Sequence, residues 1–273
     1  MALGYVDSQH VLTRHIPPEW LVACTREARR TQVDRFDNTT LRARVHQHLR
    51  DAILSARIPP GTVLQEVPLA ASLGVSRGPL REALGDLAAE GLVTITPRRG
   101  AVVSTLTKRD FLEAYQVREA LEVMAVRLAV PSPSADGFAT LERAQAAMIR
   151  AAAEGDFTGF FDGNVAFHEA WVEASGNAKL LDIYRRLMAQ LVVYRRPSAF
   201  LRGGLDQSLR EHEAIIDAAR AGDPEVAASL MLQHIEVPQR RLATLTEEEF
   251  AHETQQAMLT LAGDGAVSTG RAS

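Results

Sequence analysis

Apolar positions change their spacing twice along the chain, and the changes mark its regions. Residues 1–37, with His15-Ile16-Pro17-Pro18, hold no sustained period. They are expected to form a mobile extension with a helical turn or two around Trp20 to Arg30. From Thr39 the apolar residues Leu41, Val45, Leu49, Ile53 and Leu54 recur at helical spacing behind a capping pair, Thr39-Thr40. Ile58-Pro59-Pro60-Gly61 should stop that helix, because two prolines lock φ and remove donors. Thr62-Val63-Leu64 reads as a short extended segment. A brief helix is expected over Pro68 to Leu73 with Gly74 as its exit, and a third from Ser76 through Leu80, Leu84 and Leu87 to Glu90, ended by Gly91. Leu92 to Thr96 and Ala101 to Ser104 flank Pro97-Arg98-Arg99-Gly100 and read as a β-hairpin with a basic tip. That order of elements is a winged helix-turn-helix.

Beyond residue 106 the period is helical throughout. Helices are expected over 107–129, 137–154, 157–175, 178–195, 199–220 and 224–245. The breaks between them are Pro131-Ser132-Pro133, Gly155-Asp156, Ser175-Gly176-Asn177, Pro197-Ser198 and Gly222-Asp223-Pro224. Six helices with short connections make an antiparallel bundle. The expected fold is mainly α: an extension over 1–37, a winged helix-turn-helix with a small β-hairpin over 38–105, an all-α antiparallel helical bundle over 106–250, and a tail over 251–273.

Composition narrows the setting. A chain that is 46% hydrophobic can bury a core, and one cysteine, Cys24, makes no internal disulfide. No apolar run is long enough to span a membrane, and no basic region followed by an apolar one opens the chain. The expectation is a cytoplasmic protein without membrane attachment. The net charge of -4 hides a gradient: residues 38–105 sum to +3, residues 106–250 to -6. A basic module beside an acidic one hints at nucleic-acid contact by the first.

In a helix-turn-helix, the N-terminal residues of the second helix reach base edges. Here those are Ser76, Arg77, Gly78, Pro79 and Arg81. Arg77 and Arg81 share one face, and an arginine fork matches guanine O6 and N7. Arg98 and Arg99 at the hairpin tip suit the DNA backbone or minor groove, with Gly100 allowing the turn. The same residues also describe an ordinary exposed helix with Ser76 as its cap.

Histidines are the place to look for chemistry in the bundle. His212 and His234 lie equally far in sequence from the turn at Asp223, so an antiparallel helix pair puts them at one level. Asn164 and His168, four apart, share a face of a third helix. Together they offer three nitrogens and one oxygen, suited to zinc, nickel or another divalent transition ion. Each histidine taken alone reads equally as a packed or exposed residue.

A resemblance carries both modules further. Leu69-Ala70, Leu73-Gly74-Val75-Ser76-Arg77, Pro79-Leu80-Arg81-Glu82-Ala83-Leu84, Leu87, Glu90-Gly91-Leu92-Val93 and Arg99-Gly100-Ala101 resemble the GntR family of bacterial transcription regulators. The family often sets a basic residue at the start of the helix before the turn, where this chain has Val67-Pro68. Phe167-His168, Ser175-Gly176-Asn177, Glu211-His212, Gly222-Asp223 and His234-Ile235 are similar to the FCD effector domain of the FadR subfamily. That resemblance implies a metal held by His168, His212 and His234, with Asn164 in place of the usual aspartate. Zinc is the first expectation, with nickel or manganese as alternatives. It also implies a small carboxylate metabolite bound near the metal.

For that carboxylate Arg118 is a candidate clamp, or else pairs with Glu119 or Glu122. Tyr194 and Arg195 are further candidates, although Arg195-Arg196 before a proline also suits a helix end. Asn177 reads as a helix cap or a ligand contact. Trp171, Phe160, Phe161 and Phe167 are expected to pack the core or the cavity wall.

Two functions compete. One is a ligand-responsive regulator, a repressor binding an inverted-repeat double-stranded DNA operator as a homodimer. The other is a metal-dependent hydrolase or isomerase on the three-histidine site. An enzyme needs a general base aimed at metal-bound water. Glu169, Glu211 and Glu213 adjoin histidines and so point about 100° away on their helices. The regulator is the stronger reading.

Overall fold

The computed structural model describes residues 14–15, 40–96, 100–131, 135–200 and 204–256. The chain divides at Thr105 and Leu106 into two units.

In the first unit, helix α1 (Leu41–Leu54) starts at Thr40, whose hydroxyl accepts from the Ala43 N–H at 3.2 Å. It buries Val45, Leu49, Ala52 and Ile53, while Leu41 stays largely exposed. Strand β2 (Thr62–Leu64) leads into α2 (Glu66–Leu73), which exits through Gly74 at φ +66°. Only glycine adopts that left-handed turn without strain. Helix α3 (Arg77–Ala89) follows after three residues, then β3 (Val93–Thr96) and β4 (Gly100–Val103).

The hairpin pairs Val93 with Val103 and Thr96 with Gly100, and β2 pairs antiparallel with β4. Leu49, Ile58, Leu64, Leu69, Leu80 and Leu87 are fully buried. Each such side chain contributes about 1.5–3 kcal/mol of transfer free energy, so this core fixes how α2 and α3 meet. The hairpin tip, Pro97 to Arg99, lies outside the described residues.

The second unit is helical: α4 (Lys108–Ala129), α5 (Ala135–Glu154), α6 (Phe157–Ala174), α7 (Ala178–Phe200), α8 (Gly204–Arg220) and α9 (Pro224–Ala243). Asp156, Asn177 and Asp223 accept from the first N–H groups of α6, α7 and α9, and Thr107 with Asp110 forms a capping box on α4. Helices α5 and α6 cross closely at Gly163. A Cβ there would sit 2.7 Å from Met148 Cγ. That crossing sets the position of the next turn of α6, which carries Asn164 and His168. Among the described residues no helix is long and apolar enough to cross a membrane.

Several expectations need correction. Helix α2 begins at Glu66, because Pro68 falls in the first turn, where its missing N–H has no intrahelical acceptor to lose. Pro197 does not end α7, which runs on to Phe200. The proline costs one backbone bond, and the turns on either side carry the helix past it. In the extension, Arg14–His15 form a short strand β1 parallel to β2, and the turns expected around Trp20 to Arg30 lie outside the described residues. The tail begins as helix: residues 247–256 are helical, with Phe250 and Thr254 buried.

Candidate functional site

Three helices bring the bundle's three histidines together. His212 on α8 and His234 on α9 place their Nε2 atoms 3.1 Å apart, and His168 on α6 places its Nε2 3.3 Å from that of His234. The ligand atoms of all three lie within 4.8 Å of one another. His168 and His212 are fully buried and His234 nearly so.

The far side of each ring determines what the near side can do. His168 Nδ1 donates to Glu122 Oε2 at 2.6 Å, and His234 Nδ1 donates to Glu211 Oε2 at 2.7 Å. A carboxylate partner fixes the Nδ1–H tautomer and leaves Nε2 as a lone pair. With both Nδ1 atoms donating to carboxylates, the Nε2 atoms of neutral His168 and His234 rings face each other at 3.3 Å as two acceptors, which a cation between them would bridge. His212 Nδ1 is buried with no hydrogen-bond partner, and its ring stacks on Phe167 at 4.0 Å.

His168 and His212 offer the neutral form a metal requires. Burial pushes His168 down to about 3, and it pushes His212 well below its ordinary value. The Glu122 contact would raise His168 if it acted alone. Burial wins because the Glu122 charge is already answered by Arg118. The separations to His234 lie near the N···N edge of about 3.3 Å in a tetrahedral ion with nitrogen ligands.

Glu122 is shared. Its Oε1 accepts from Arg118 Nε at 2.6 Å, and both side chains are buried. Burial alone would lower the Arg118 pKa, but Glu122, Tyr115 and Tyr184 together outweigh it and hold the guanidinium charged. Arg118 Nη2 has no partner. The Arg118 side chain lines a cavity of about 120 Å³ with Tyr115, Asn164, His168, His234 and Arg241. Ser208, Gln207 and Glu211 of α8 complete its polar wall. Phe160 and Phe161 supply apolar wall, whereas Trp171 packs in the core.

In the first unit, Ser76 sits at the N-cap of α3, yet its hydroxyl makes no bond to the helix N–H groups. Arg77, Gly78 and Arg81 are exposed along the first turns, with Pro79 half-buried beside them. Both arginines donate to Glu66 of α2. Gly100 opens β4 at φ +81°. Arg98 and Arg99 lie outside the described residues.

Comparison with known proteins follows this division. The pattern of bacterial regulatory proteins of the gntR family matches residues 41–103, and that of the FCD domain matches residues 113–237. The probable D-xylose utilization operon transcriptional repressor of Paenarthrobacter nicotinovorans is 33% identical over 202 residues, covering 74% of this chain and 88% of that one. The chain belongs to the GntR family. Another member, the gluconate operon transcriptional repressor of Bacillus licheniformis, is 32% identical over 174 residues, 64% of this chain and 70% of its own. The crystal structure of a GntR transcriptional regulator from Rhodococcus sp. RHA1 superposes with a TM-score of 0.65 at 26% identity, over 76% of this chain and 100% of that one. These GntR proteins are transcription regulators and not enzymes, so the hydrolase alternative falls. The geometry agrees, since Glu211 faces the back of the His234 ring.

Two candidates for effector contact, Asn177 and Tyr194, are placed elsewhere, and a third, Arg195, is not described at its side chain. Asn177 is exposed and spends its Oδ1 on the Lys179 and Leu180 N–H groups, as a helix cap. Tyr194 is buried away from the cavity, accepts from the Leu106 N–H at 2.9 Å, and stacks on Phe250. Arg195 is on α7, and its side chain is outside those described. Arg118 does both things considered for it: it pairs with Glu122 and borders the cavity.

Sequence reasoning missed the histidines' backing. Spacing shows Glu122 only as a partner for Arg118, and adjacency on one helix turns Glu211 away from His212. It points instead at the neighbouring helix. Arg241 had a usable signal, since it follows His234 by two turns of α9 and so shares its face.

Proposed function

We propose that this GntR-family protein is a repressor that binds an inverted-repeat operator as a homodimer, with operator affinity set by a small carboxylate metabolite bound beside a divalent metal. His168, His212 and His234 hold the metal, with Asn164 as the oxygen ligand. Zinc fits the donor set best, and nickel and manganese are the alternatives. The observation that carries this reading is the convergence of three histidine nitrogens, with Glu122 and Glu211 holding the far sides of the His168 and His234 rings. Bound there, the ion would supply positive charge for a carboxylate oxygen, which would join as a fifth donor or in place of Asn164. Arg118 supplies the second cation through its unpartnered Nη2. A buried carboxylate requires such partners, because an uncompensated one costs several kcal/mol. Two of the relatives are named for operons that use D-xylose and gluconate, which supports repression tied to carbon metabolism.

Pairing of two copies is supported by α4. Ala114, Val117, Leu121, Met124 and Leu128 alternate spacings of three and four residues, the seam of a coiled coil. Val117, Met124 and Leu128 are exposed. Two-fold symmetry in the protein then selects two-fold symmetry in the operator. On DNA, Arg77 and Arg81 read base edges, Ser76 and the wing residues Arg98 and Arg99 contact phosphate, and Gly78, Pro79 and Gly100 let the backbone approach.

Two measurements test this. Genomic fragments retained by the protein should share a short inverted repeat, and Arg77→Ala should lose that repeat by about 1–3 kcal/mol relative to scrambled DNA. Elemental analysis after loading with zinc, nickel or manganese in turn should find up to one ion per chain in wild-type protein and none in His212→Ala. An absence of metal in all three preparations refutes the metal centre.

A further inference from the structure

A single carboxylate oxygen on α2 holds both arginines of α3. Glu66 Oε2 accepts from Arg81 Nε at 2.6 Å and from Arg77 Nη2 at 3.1 Å. The Glu66 side chain is three-quarters covered, whereas the arginines are more than half exposed. Partial burial pushes its carboxyl up, but the hydrogen bonds from Arg81 and Arg77 outweigh that and keep it ionised.

This arrangement adds little to folding, because ion pairs with exposed partners are nearly neutral for stability. Its consequence lies at the DNA surface. Arg81 gives Glu66 only its Nε–H, so both terminal NH2 groups remain for an acceptor on a base. A long arginine side chain ordinarily loses rotamer freedom when it docks, and one already pinned loses less. A carboxylate between two arginines also subtracts from the attraction to phosphate that drives sequence-independent binding. Both effects widen the gap between the right sequence and the wrong one.

We propose that Glu66 is a specificity-determining positioning residue, which presets Arg77 and Arg81 for base edges and weakens their sequence-independent hold on phosphate. The inference rests on the reading of α3 as the base-reading helix. Val67, next in sequence and well exposed, offers no charge that could replace it.

The test measures binding of full-length protein to two duplexes across a salt series. One is the operator recovered by selection from random double-stranded DNA with wild-type protein, and the other is its scrambled sequence. Glu66→Gln should bind the operator about tenfold more weakly. It should bind the scrambled duplex severalfold more tightly, with the slope of log K against log salt steeper by about one unit. Glu66→Asp keeps the charge on a shorter reach, so scrambled binding should stay at the wild-type value while operator affinity recovers in part. Equal weakening on both duplexes would mean that Glu66 serves only the fold, and would overturn the proposal. Arg77→Ala and Arg81→Ala separate the two layers. If they lose affinity equally for both duplexes, base reading by α3 fails and the inference falls with it. If they lose the operator selectively while Glu66→Gln keeps the wild-type ratio, the role of Glu66 alone is refuted.

Discussion

Replacing Glu122 by glutamine should damage stability and metal binding together. The two carboxylate oxygens have separate tasks: Oε1 accepts from Arg118 and Oε2 accepts from His168. A glutamine has one oxygen and one NH2, so either Arg118 or His168 would meet a donor with a donor. The Arg118 charge, with 2% of its side chain exposed, would also lose its counter-charge. Removing one partner of a buried pair costs about 3–5 kcal/mol. For a domain of this size that lowers the melting temperature on the order of 10 °C. The His168 ring would also lose its orienting partner, which typically weakens metal affinity by about 10–100-fold.

Thermal unfolding in chelator isolates the first effect, and competition against a chromogenic chelator measures the second. The double variant Arg118→Met/Glu122→Met should regain most of the stability, since an apolar pair of similar volume replaces the ion pair. It should not regain the metal affinity. A stability loss below about 1 kcal/mol for Glu122→Gln would show that Arg118 is adequately solvated through the cavity, and would refute the reasoning.

Asn164→Asp should tighten metal binding in the same competition, because an anionic oxygen replaces an amide; weaker binding would remove Asn164 from the ion. Acid should destabilise the bundle well above the range where carboxylates titrate. His168 is held down to about 3 in the folded state against an ordinary 6.5, so the unfolded chain binds more protons between those values. Stability is then fully present above about 6.5 and is lost as pH falls toward 3, which urea titrations at stepped pH would record. A flat profile down to pH 5 would contradict the neutral buried state. Met124→Glu, at an exposed position of the proposed seam, should leave the monomer folded while sedimentation shows the proposed dimer dissociating.

How much of this could be read from the residues depended on distance along the chain. The pairing of His212 with His234 was legible because one tight turn at Asp223 separates their helices, so equal spacing becomes equal height. The caps and exits were legible for the same reason, since Asn177 and Gly74 act on backbone within three residues. Glu122 was not legible as the partner of His168, because that contact joins two helices across 46 residues and depends on the angle between them. Glu211 shows the same limit: being next to His212 turns it toward His234, and only the placement of α9 makes that useful. Pro197 failed the other way, where a strong local signal was overruled by the turns on both sides.

Helix α4 carries Arg118 and Glu122 on one face and Val117, Leu121, Met124 and Leu128 on the next, about 100° around the same rod. In the proposed dimer it works like an axle with two gears. A rotation of about 10° about its axis would carry seam atoms about 5 Å out through an arc of about 1 Å. Close-packed side chains do not absorb that much by compressing, so the facing copy must re-seat in another register of ridges and grooves. In the proposed regulator a metabolite would then need no relay of loops between cavity and partner. It would have only to turn the axle.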